Sequence, residues 1–351
     1  MEIGLFTRWP CRQGLSHAEA FQEQFATVRA TEALGYDNIW LGEEHFSHDV
    51  GHDLYLGSSV LTLGGAIAAQ TTRLRIGMAV VPLPLGHPLR IAEEAATVDL
   101  VSGGRLDFGV GRSSNAQTYQ RYGLPYADSR ERMLEALEVI KKAWTQERFS
   151  HKGEFYTFDD LCLVPKPCQK PHPRVFLAIS SAETFAVAGR CGYDIFVNPR
   201  GELAQLRRGV EEYHKAWQAA GHAGRGKIAA RILCYVAETT RKAHSEPEEG
   251  TMALLQHQSR LTAPQEGLSE EVNRARAERS RYLSRLPYEE VLKIDVTYGT
   301  PEFVTETMQR LREEIGVAAF MLDMNCYGSL PPEKSLNSMR LFSERIMPHF
   351  K

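Results

Sequence analysis

The sequence predicts an α/β protein built as a (β/α)8 TIM barrel. Eight apolar runs of strand length alternate with segments of helical spacing along the 351 residues. The strand-like runs are apolar at successive positions, which is typical of parallel strands that are buried on both faces. A doubly wound sheet is the rival architecture, but no GxGxxG sequence follows a predicted strand, so a nicotinamide-binding Rossmann unit is not expected.

The predicted strands and helices alternate in chain order. The strands cover residues 3–6, 39–41, 74–85, 106–112, 175–180, 194–198, 228–237 and 318–324. The helices cover residues 17–34, 54–70, 89–101, 128–146, 182–190, 203–220, a segment that begins at 299–302, and 333–348.

Residues at the helix starts support this assignment. Ser16 and Thr300 are N-cap candidates, and Pro301 suits the first helical position. Asp128 is a further candidate cap, with Glu131 three residues later at the spacing of a capping box.

One domain spanning residues 1–351 is expected, because no change in composition marks a boundary. Residues 147–173, after the fourth strand and its helix, contain prolines and aromatic residues, so we expect an ordered insertion. Residues 245–290, near the seventh strand, are polar and charged and are expected to form a mobile lid. The aromatic residues of 149–158 are candidates for the same substrate lid.

The composition excludes several classes of function. A net charge of −3 gives no electrostatic reason to expect nucleic acid or an anionic membrane as a partner. No window approaches 18 uncharged apolar residues, and the N-terminus lacks the pattern of a signal peptide. The six cysteines are scattered, which favours a reduced, cytoplasmic protein.

The segment 36–49, YDNIWLGEEHFSHD, is the clearest candidate for a functional site. It begins as a buried strand and then places carboxylates and imidazoles at the carboxyl end of that strand, where barrel active sites lie. A metal site is one interpretation, with Glu44, His45, His48 and Asp49 as ligand types. All four lie on one loop, however, and no distant set of ligands completes the site.

Other strand ends contribute residues to the same face of the predicted barrel. They are Thr7, Arg8, Ala79 to Pro84, Gly111, Arg112, Ser113, Asn115, Ser180, Ser181, Asn198, Arg200, Asp323, Asn325 and Cys326. Arg112, Arg130 and the serines at 180 and 181 suit a phosphate or carboxylate, since guanidinium groups and a helix N-terminus both favour anions. The apolar residues 79–84 form a wall that suits a flat aromatic ring system.

Four segments of the chain together resemble the bacterial luciferase-like flavin-dependent monooxygenases. These segments are WLGEEHF, IGMAVVPLPLGHPLRIAEEAATVDLVSGGRLDFGVGR, DSRERM and the closing GTPE…SLNSMRLFSERIMPHF. The similarity covers nearly the whole chain in matching order. It implies a (β/α)8 barrel with an insertion, usually dimeric. It also implies the use of reduced FMN and oxygen, through a flavin C4a-peroxide, to oxidise a small organic substrate.

The resemblance also assigns individual residues. Arg112, Arg130 and Ser180 match residues that hold the flavin phosphate, and Thr184 is the chemically sensible match for a threonine there, with Glu183 as the alternative. Ser181 belongs to the same phosphate site. Ala79 and Val80 match a pair joined by a non-prolyl cis peptide beneath the flavin ring.

Two departures from luciferase concern its chemistry. Glu44 stands where luciferase has its catalytic histidine, and His45 matches the second histidine, so Glu44 and His45 are the candidate catalytic residues. Gly111 stands at the reactive cysteine, so light emission is not implied. An ion pair that supports the loop is the preferred interpretation of Glu43.

The predicted function is a two-component FMN-dependent monooxygenase. Its expected partners are a small organic substrate, O2, an NAD(P)H-dependent flavin reductase and a second copy of the chain, with the helix at 54–70 as a possible interface. One alternative is a deazaflavin-dependent oxidoreductase that transfers hydride. Another is a flavin-binding protein without turnover.

Overall fold

A closed barrel of eight parallel strands forms the centre of the structure. This computed structural model describes residues 1–49, 52–53, 55–113, 115–179, 181–199, 203–265, 268, 270–328 and 330–351. The strands are β1 (Glu2–Thr7), β2 (Asn38–Leu41), β3 (Arg75–Met78), β4 (Leu106–Gly111), β5 (Arg174–Ala178), β6 (Asp194–Val197), β7 (Ile228–Val236) and β8 (Ala319–Asp323). Each pairs in parallel with its neighbours in chain order, and pairing of β8 with β1 closes the barrel.

Eight helices alternate with these strands on the outside of the barrel. They are α1 (His17–Ala33), α2 (Val60–Gln70), α3 (Pro88–Ser102), α4 (Ser129–Thr145), α5 (Ala182–Cys191), α6 (Leu203–Ala219), α7 (Pro301–Ile315) and α8 (Pro332–Arg345). Ser16 caps α1 in a full capping box with Glu19. Thr300 and Pro301 occupy the predicted positions at the start of α7.

Further elements lie between the barrel units. The helices are Ala116–Arg121, Thr240–Ser245, Glu248–Leu261, Glu270–Arg285 and Tyr288–Ile294, with 3-10 turns at Leu83–Leu85, Cys326–Gly328 and Met347–His349. The strands are Val81–Pro82, Val296–Gly299, the short hairpin His48–Asp49 with His52–Asp53, and the hairpin Phe149–Lys152 with Thr157–Leu161.

Two helix predictions were wrong, and one strand was missed. The second helix begins at Val60 rather than at 54, because Tyr55 instead bridges the backbone of Pro10. Asp128 occupies the N-cap position of α4, but its side chain makes no capping hydrogen bond. The segment before 299 contains a strand, Val296–Gly299, which pairs in parallel with the end of β7.

Aromatic rings fill the middle of the barrel. Trp40 lies 5.2 Å from Phe176 and 5.1 Å from Phe196 between ring centroids, and both contacts are edge-on. Gly77 on β3 makes room for this cluster, because a Cβ there would lie 2.0 Å from the indole of Trp40. The interior is therefore packed, and open space begins only above this layer.

Charged residues close the amino-terminal end of the barrel. Arg174 donates to the carboxylates of both Glu2 and Asp107, each at 2.7 Å, and Arg75 donates to Asp107 at 2.6 Å. Lys227 donates to Glu2 at 2.7 Å. This network, which we call the basal ion network, ties β1, β3, β4, β5 and the start of β7 together away from the candidate site.

The search for membrane spans gave a negative result. No helix within the described ranges is long and apolar enough to cross a bilayer.

Candidate functional site

The carboxyl ends of the barrel strands carry most of the unusual backbone. Five non-glycine residues in the described ranges have positive φ, and four of them follow β1, β2, β4 or β8: Trp9, Phe46, Ser113 and Cys326. Such conformations concentrate at functional sites, because the surrounding structure must hold them. The peptide bond between Ala79 and Val80, after β3, is cis, as the resemblance implied.

A central chamber of about 390 Å³ opens above the aromatic layer of the barrel. Apolar residues form its base, among them Phe6, Ala79, Val80, Phe196 and Met321. Polar residues from other strand ends form its sides: Arg8, Glu43, Glu44, Ser113, Asn115, Asn198 and Arg231. All of these polar residues except Arg231 were predicted at strand ends, and the structure brings them into one chamber.

A second cavity of about 220 Å³, the anion pocket, lies beside the chamber. Arg112, Arg130, Glu183 and Thr184 line it. Val80, Ser113 and Ala178 line both cavities, so the two adjoin at the ends of β3, β4 and β5. A recess that holds two arginines, next to a chamber with an apolar base, suits a ligand that has an anion at one end and a flat ring at the other.

Hydrogen bonds join several predicted phosphate ligands in the anion pocket. Arg130 Nη2 donates to Ser181 Oγ at 3.3 Å, and the hydroxyls of Ser181 and Thr184 lie 2.9 Å apart. Ser181 is the N-cap of α5, whose first-turn amides favour an anion. Ser180 and Arg200, which were predicted at the same face, lie outside the described residues.

The short helix Ala116–Arg121 and the loop after it hold Arg112 in place. The buried Tyr119 donates its hydroxyl proton to the carbonyl oxygen of Arg112. The Arg112 guanidinium lies 5.6 Å from the ring centroid of Tyr126, and its Nη1 is 3.5 Å from Ser129 Oγ. Among the described residues no carboxylate pairs with Arg112, so its charge faces the pocket uncompensated.

Partly buried ion pairs order the polar side of the chamber. Arg8 Nη1 lies 3.4 Å from Glu44 Oε1, and Arg231 Nη2 lies 2.5 Å from Asp323 Oδ2. The Arg231 guanidinium also stacks over the ring of Phe6 at 4.0 Å. Burial disfavours the charged form of Arg8, but the hydroxyl of Tyr55 and the charges of Glu44 and Asp323 outweigh it, so the pKa of Arg8 is raised.

The two candidate catalytic residues face different spaces. Glu44 lines the chamber, whereas His45 lines a smaller side cavity of about 160 Å³ with Tyr122 and Leu61. His45 Nε2 lies 2.9 Å from Glu43 Oε1, and its Nδ1 lies 3.2 Å from the hydroxyl of Tyr122. Glu43 borders both cavities, and therefore stands between His45 and the chamber.

Glu43 also supports the loop after β2. Its Oε2 accepts a 3.3 Å hydrogen bond from the backbone amide of Val60, at the start of α2. The predicted supporting ion pair therefore has a counterpart in the structure, since one carboxylate joins His45 to the N-terminus of a helix.

Two helices form a cover over the chamber. We call Glu248–Leu261 and Glu270–Arg285 the cap helices. Gln258, Leu261, Thr262, Arg279 and Leu283 line the chamber from above. They fall within the range 245–290, whose mobility as a lid stays a prediction. The aromatic residues of 149–158 were wrongly assigned to this lid. Phe149, Tyr156 and Phe158 pack on the main hydrophobic core and, for the last two, against His87.

Sequence reasoning missed Arg231, Tyr122 and the chamber-facing residues of the cap helices. Arg231 lies within β7 in an apolar run, RILCYV, and a charge at such a position was an available signal. Tyr122 and Arg279 gave no local signal, because their positions depend on packing between distant segments.

Comparisons with known proteins agree with this geometry. The family model for luciferase-like monooxygenases matches residues 1–319. Limonene 1,2-monooxygenase of Rhodococcus erythropolis is 26% identical over 347 residues, which are 94% of this chain and 82% of that protein. The crystal structure of monooxygenase RslO1 from Streptomyces bottropensis superposes with a TM-score of 0.82 at 25% identity, over 100% of both chains.

More distant structures show the same fold. The oxygenating constituent of 3,6-diketocamphane monooxygenase from Pseudomonas putida, solved in complex with FMN, has a TM-score of 0.80 at 20% identity, over 99% of this chain and 98% of that one. Enzymes that depend on coenzyme F420 share the fold as well, at 16% and 18% identity.

The predicted barrel and the predicted monooxygenase class are confirmed by these matches. Because the family model spans nearly the whole chain, the protein belongs to the luciferase-like monooxygenase family.

Proposed function

We propose that the protein is the oxygenase component of a two-component monooxygenase. In this proposal it binds reduced FMN as a co-substrate, together with O2 and a small organic substrate. A separate NAD(P)H-dependent reductase supplies the reduced flavin. A homodimer in the cytoplasm is part of the same proposal, and light scattering of the purified protein tests the dimer.

The observation that carries the proposal is the junction of the anion pocket with the chamber. Arg112, Arg130, Ser181 and Thr184 offer donors suited to a phosphate, and the apolar base at Ala79 and Val80 suits a ring system. Arg8 and Arg231, which line the chamber, are already paired with carboxylates, whereas Arg112 has no carboxylate partner among the described residues and is therefore the clearest anion ligand. These residues therefore fit FMN.

Reduced flavin, when bound, supplies the electrons that activate O2 for transfer of one oxygen atom. Residues of the chain bind the flavin and shield the reacting groups from water. Arg112 and Arg130 hold the phosphate, and the cap helices exclude water from the chamber. Glu44, the chamber-facing acid, holds or accepts a proton beside the reacting groups, and Arg8 fixes its position.

Relatives support the proposal at the level of reaction class. Limonene 1,2-monooxygenase oxidises an organic substrate, as its name states, and the 3,6-diketocamphane enzyme is an oxygenating constituent seen with FMN. The open-ended chamber and the neutralised arginines at its sides favour a small substrate of modest polarity.

The decisive experiment is anaerobic binding of reduced FMN followed by rapid mixing with oxygen. We expect flavin reoxidation, followed by stopped-flow absorbance, to contain a slow phase that is absent without protein. Reoxidation at the rate of free flavin, despite saturating protein, would rule out an oxygenase.

A parallel titration with reduced deazaflavin tests the hydride-transfer alternative. Tighter binding of deazaflavin than of FMN, with no effect on flavin reoxidation, would favour that alternative. Tight FMN binding with unaltered reoxidation would instead indicate a flavin-binding protein without turnover.

A further inference from the structure

The anion pocket contains a negative charge of its own. Glu183 Oε2 lies 2.6 Å from Arg130 Nη1, and both side chains line the pocket. The other terminal nitrogen of Arg130 donates to Ser181. The guanidinium fork of Arg130 is thus engaged by a carboxylate and a hydroxyl inside the proposed phosphate site.

This carboxylate uses the same favourable features that a phosphate would use. Glu183 is in the first turn of α5, where the amide groups of the helix N-terminus favour an anion. Arg130 offers a planar set of donors that binds either a carboxylate or a phosphate. The two anions therefore compete for one arginine and one helix end.

The exposure of the pair permits an exchange of partners. The side chain of Glu183 is 74% exposed and that of Arg130 is 35% exposed. The carboxylate is therefore able to rotate into solvent while Arg130 stays in the pocket. Arg112, in contrast, contacts Ser129 and Tyr126 and has no carboxylate partner in the described ranges.

We propose that Glu183 is a built-in competitor of the flavin phosphate. It holds Arg130 when no phosphate is present, gives it up when a phosphate binds, and then repels the bound dianion from nearby. The pocket consequently binds the phosphate less tightly than its two arginines alone would allow. This inference rests on the proposed use of FMN, and it suits a flavin that must arrive from one protein and leave again after each turnover.

Anaerobic equilibrium binding of reduced FMN to Glu183→Gln tests the proposal, and the flavins compared below are likewise in their reduced forms. The substitution keeps the size of the side chain and removes its charge, and we expect the dissociation constant for FMN to fall about threefold, as is usual for an exposed ion pair. Riboflavin, which lacks the phosphate, is expected to bind the variant and the wild type equally. Glu131→Gln is the matched control, because Glu131 is an exposed glutamate in the first turn of α4 that is absent from the pocket lining.

Two results would contradict the proposal. If Glu183 serves only to position Arg130, then Glu183→Gln weakens FMN binding or leaves it unchanged, and the proposal is wrong. An equal gain in affinity for riboflavin also contradicts it, since the effect would not involve the phosphate.

A double-mutant cycle tests whether Glu183 and the flavin phosphate compete for Arg130. In an Arg130→Ala background, Glu183→Gln is expected to tighten FMN binding by a smaller factor, because no arginine is left to compete for. If Glu183→Gln tightens FMN binding by the same factor with and without Arg130, the claim of competition is wrong. If the wild type shows no saturable FMN binding under any of these conditions, the proposed function fails first, and this outcome is distinct from failure of the Glu183 inference.

Discussion

Arg112 is the residue on which we expect the proposed recognition of the flavin phosphate to depend most. It follows β4, it faces the anion pocket, and no carboxylate in the described part of the chain competes for it. We expect Arg112→Ala to weaken FMN binding by about 1–3 kcal/mol, which is the usual contribution of a charge-assisted hydrogen bond. Fluorescence quenching of FMN measures the change.

The control for Arg112 is Arg207→Ala, which removes an arginine paired with Glu314 on the barrel exterior. Arg207→Ala should leave FMN affinity as it was. Equal affinities of Arg112→Ala and wild type would show that the phosphate lies elsewhere.

Glu43 and Glu44 are adjacent in sequence but are expected to respond differently to substitution. Glu43→Gln weakens the contacts with His45 and with the amide of Val60, so it should reduce the free energy of unfolding by about 1–2 kcal/mol. Glu44→Gln should unfold near the wild-type temperature but change the rate of flavin reoxidation at least tenfold, as is typical for an acid or base at a reacting centre.

Thermal unfolding and stopped-flow reoxidation, measured on both variants, give this comparison. A Glu44→Gln protein that reoxidises flavin like the wild type would remove Glu44 from the candidate catalytic residues. His45→Gln is a third variant to measure, because His45 is the other candidate catalytic residue and lies in the side cavity.

Long-range contacts set the limit on what could be predicted for single residues. Arg112 and Arg130 could be expected in one pocket from their residue type and from the strand end and helix start that carry them, whereas Thr184 was assigned only by the family resemblance. The pairing of Arg130 with Glu183, 53 positions apart, and that of His45 with Tyr122, 77 positions apart, depend on how separate elements pack. No local pattern in the sequence encodes these distances.

At the scale of elements, Arg276 is one of the side chains that join the cap helices, together with Ser259 and Ser280. Arg276, on the second cap helix, donates to the carbonyl oxygens of Leu261 and Ala263 at the end of the first, at 2.7 and 3.0 Å. Arg276→Ala should loosen the cover over the chamber, because the end of the first helix loses these donors.

Limited proteolysis tests this prediction. Cleavage of Arg276→Ala between residues 262 and 285 is expected to be at least fivefold faster than that of wild type. Arg274→Ala serves as the control, because Arg274 is an exposed arginine on the same helix. Equal cleavage of both variants would mean that Arg276 does not hold the cap helices together.

The barrel elements were predictable, whereas the additions to the barrel were not. Buried parallel strands appear in the sequence as short apolar runs, and several barrel helices end at a glycine that has a positive φ: Gly103, Gly192 and Gly316. Val296–Gly299 was missed because its four residues, VTYG, merge with the start of α7 and carry little apolar signal. The helix Ala116–Arg121 was missed for a similar reason, since six residues are too few to show a period.

At the scale of the whole molecule, the basal ion network links stability to pH. Burial alone would raise the pKa of Glu2, but hydrogen bonds from Arg174 and Lys227 overcome this effect and lower the pKa to about 2. A carboxyl whose pKa is lower in the folded state stabilises the fold above its unfolded value of 4.5. This contribution is lost as the pH falls from about 4.5 to about 2.

Chemical unfolding of Glu2→Gln checks this linkage. The variant is expected to be less stable at pH 7 by about 1–3 kcal/mol, because charged hydrogen bonds are lost and Arg174 keeps only Asp107 as a carboxylate partner. The difference from wild type should shrink as the pH falls towards 2. Glu211→Gln, at an exposed position on α6, is the control. A difference that stays constant with pH would contradict this account.

The outer strand Val296–Gly299 has a consequence for how the protein family can diversify. The chain leaves the barrel after Val236 and returns beside it, since Val236 pairs with Gly299 and the amide of Ala237 donates to the carbonyl oxygen of Gly299 at 3.2 Å. The segment between Val236 and Gly299, which includes the cap helices, therefore begins and ends at neighbouring positions beside the barrel. We call this segment the cassette. We expect exchange of this cassette to replace the roof of the chamber while the barrel and the anion pocket stay the same.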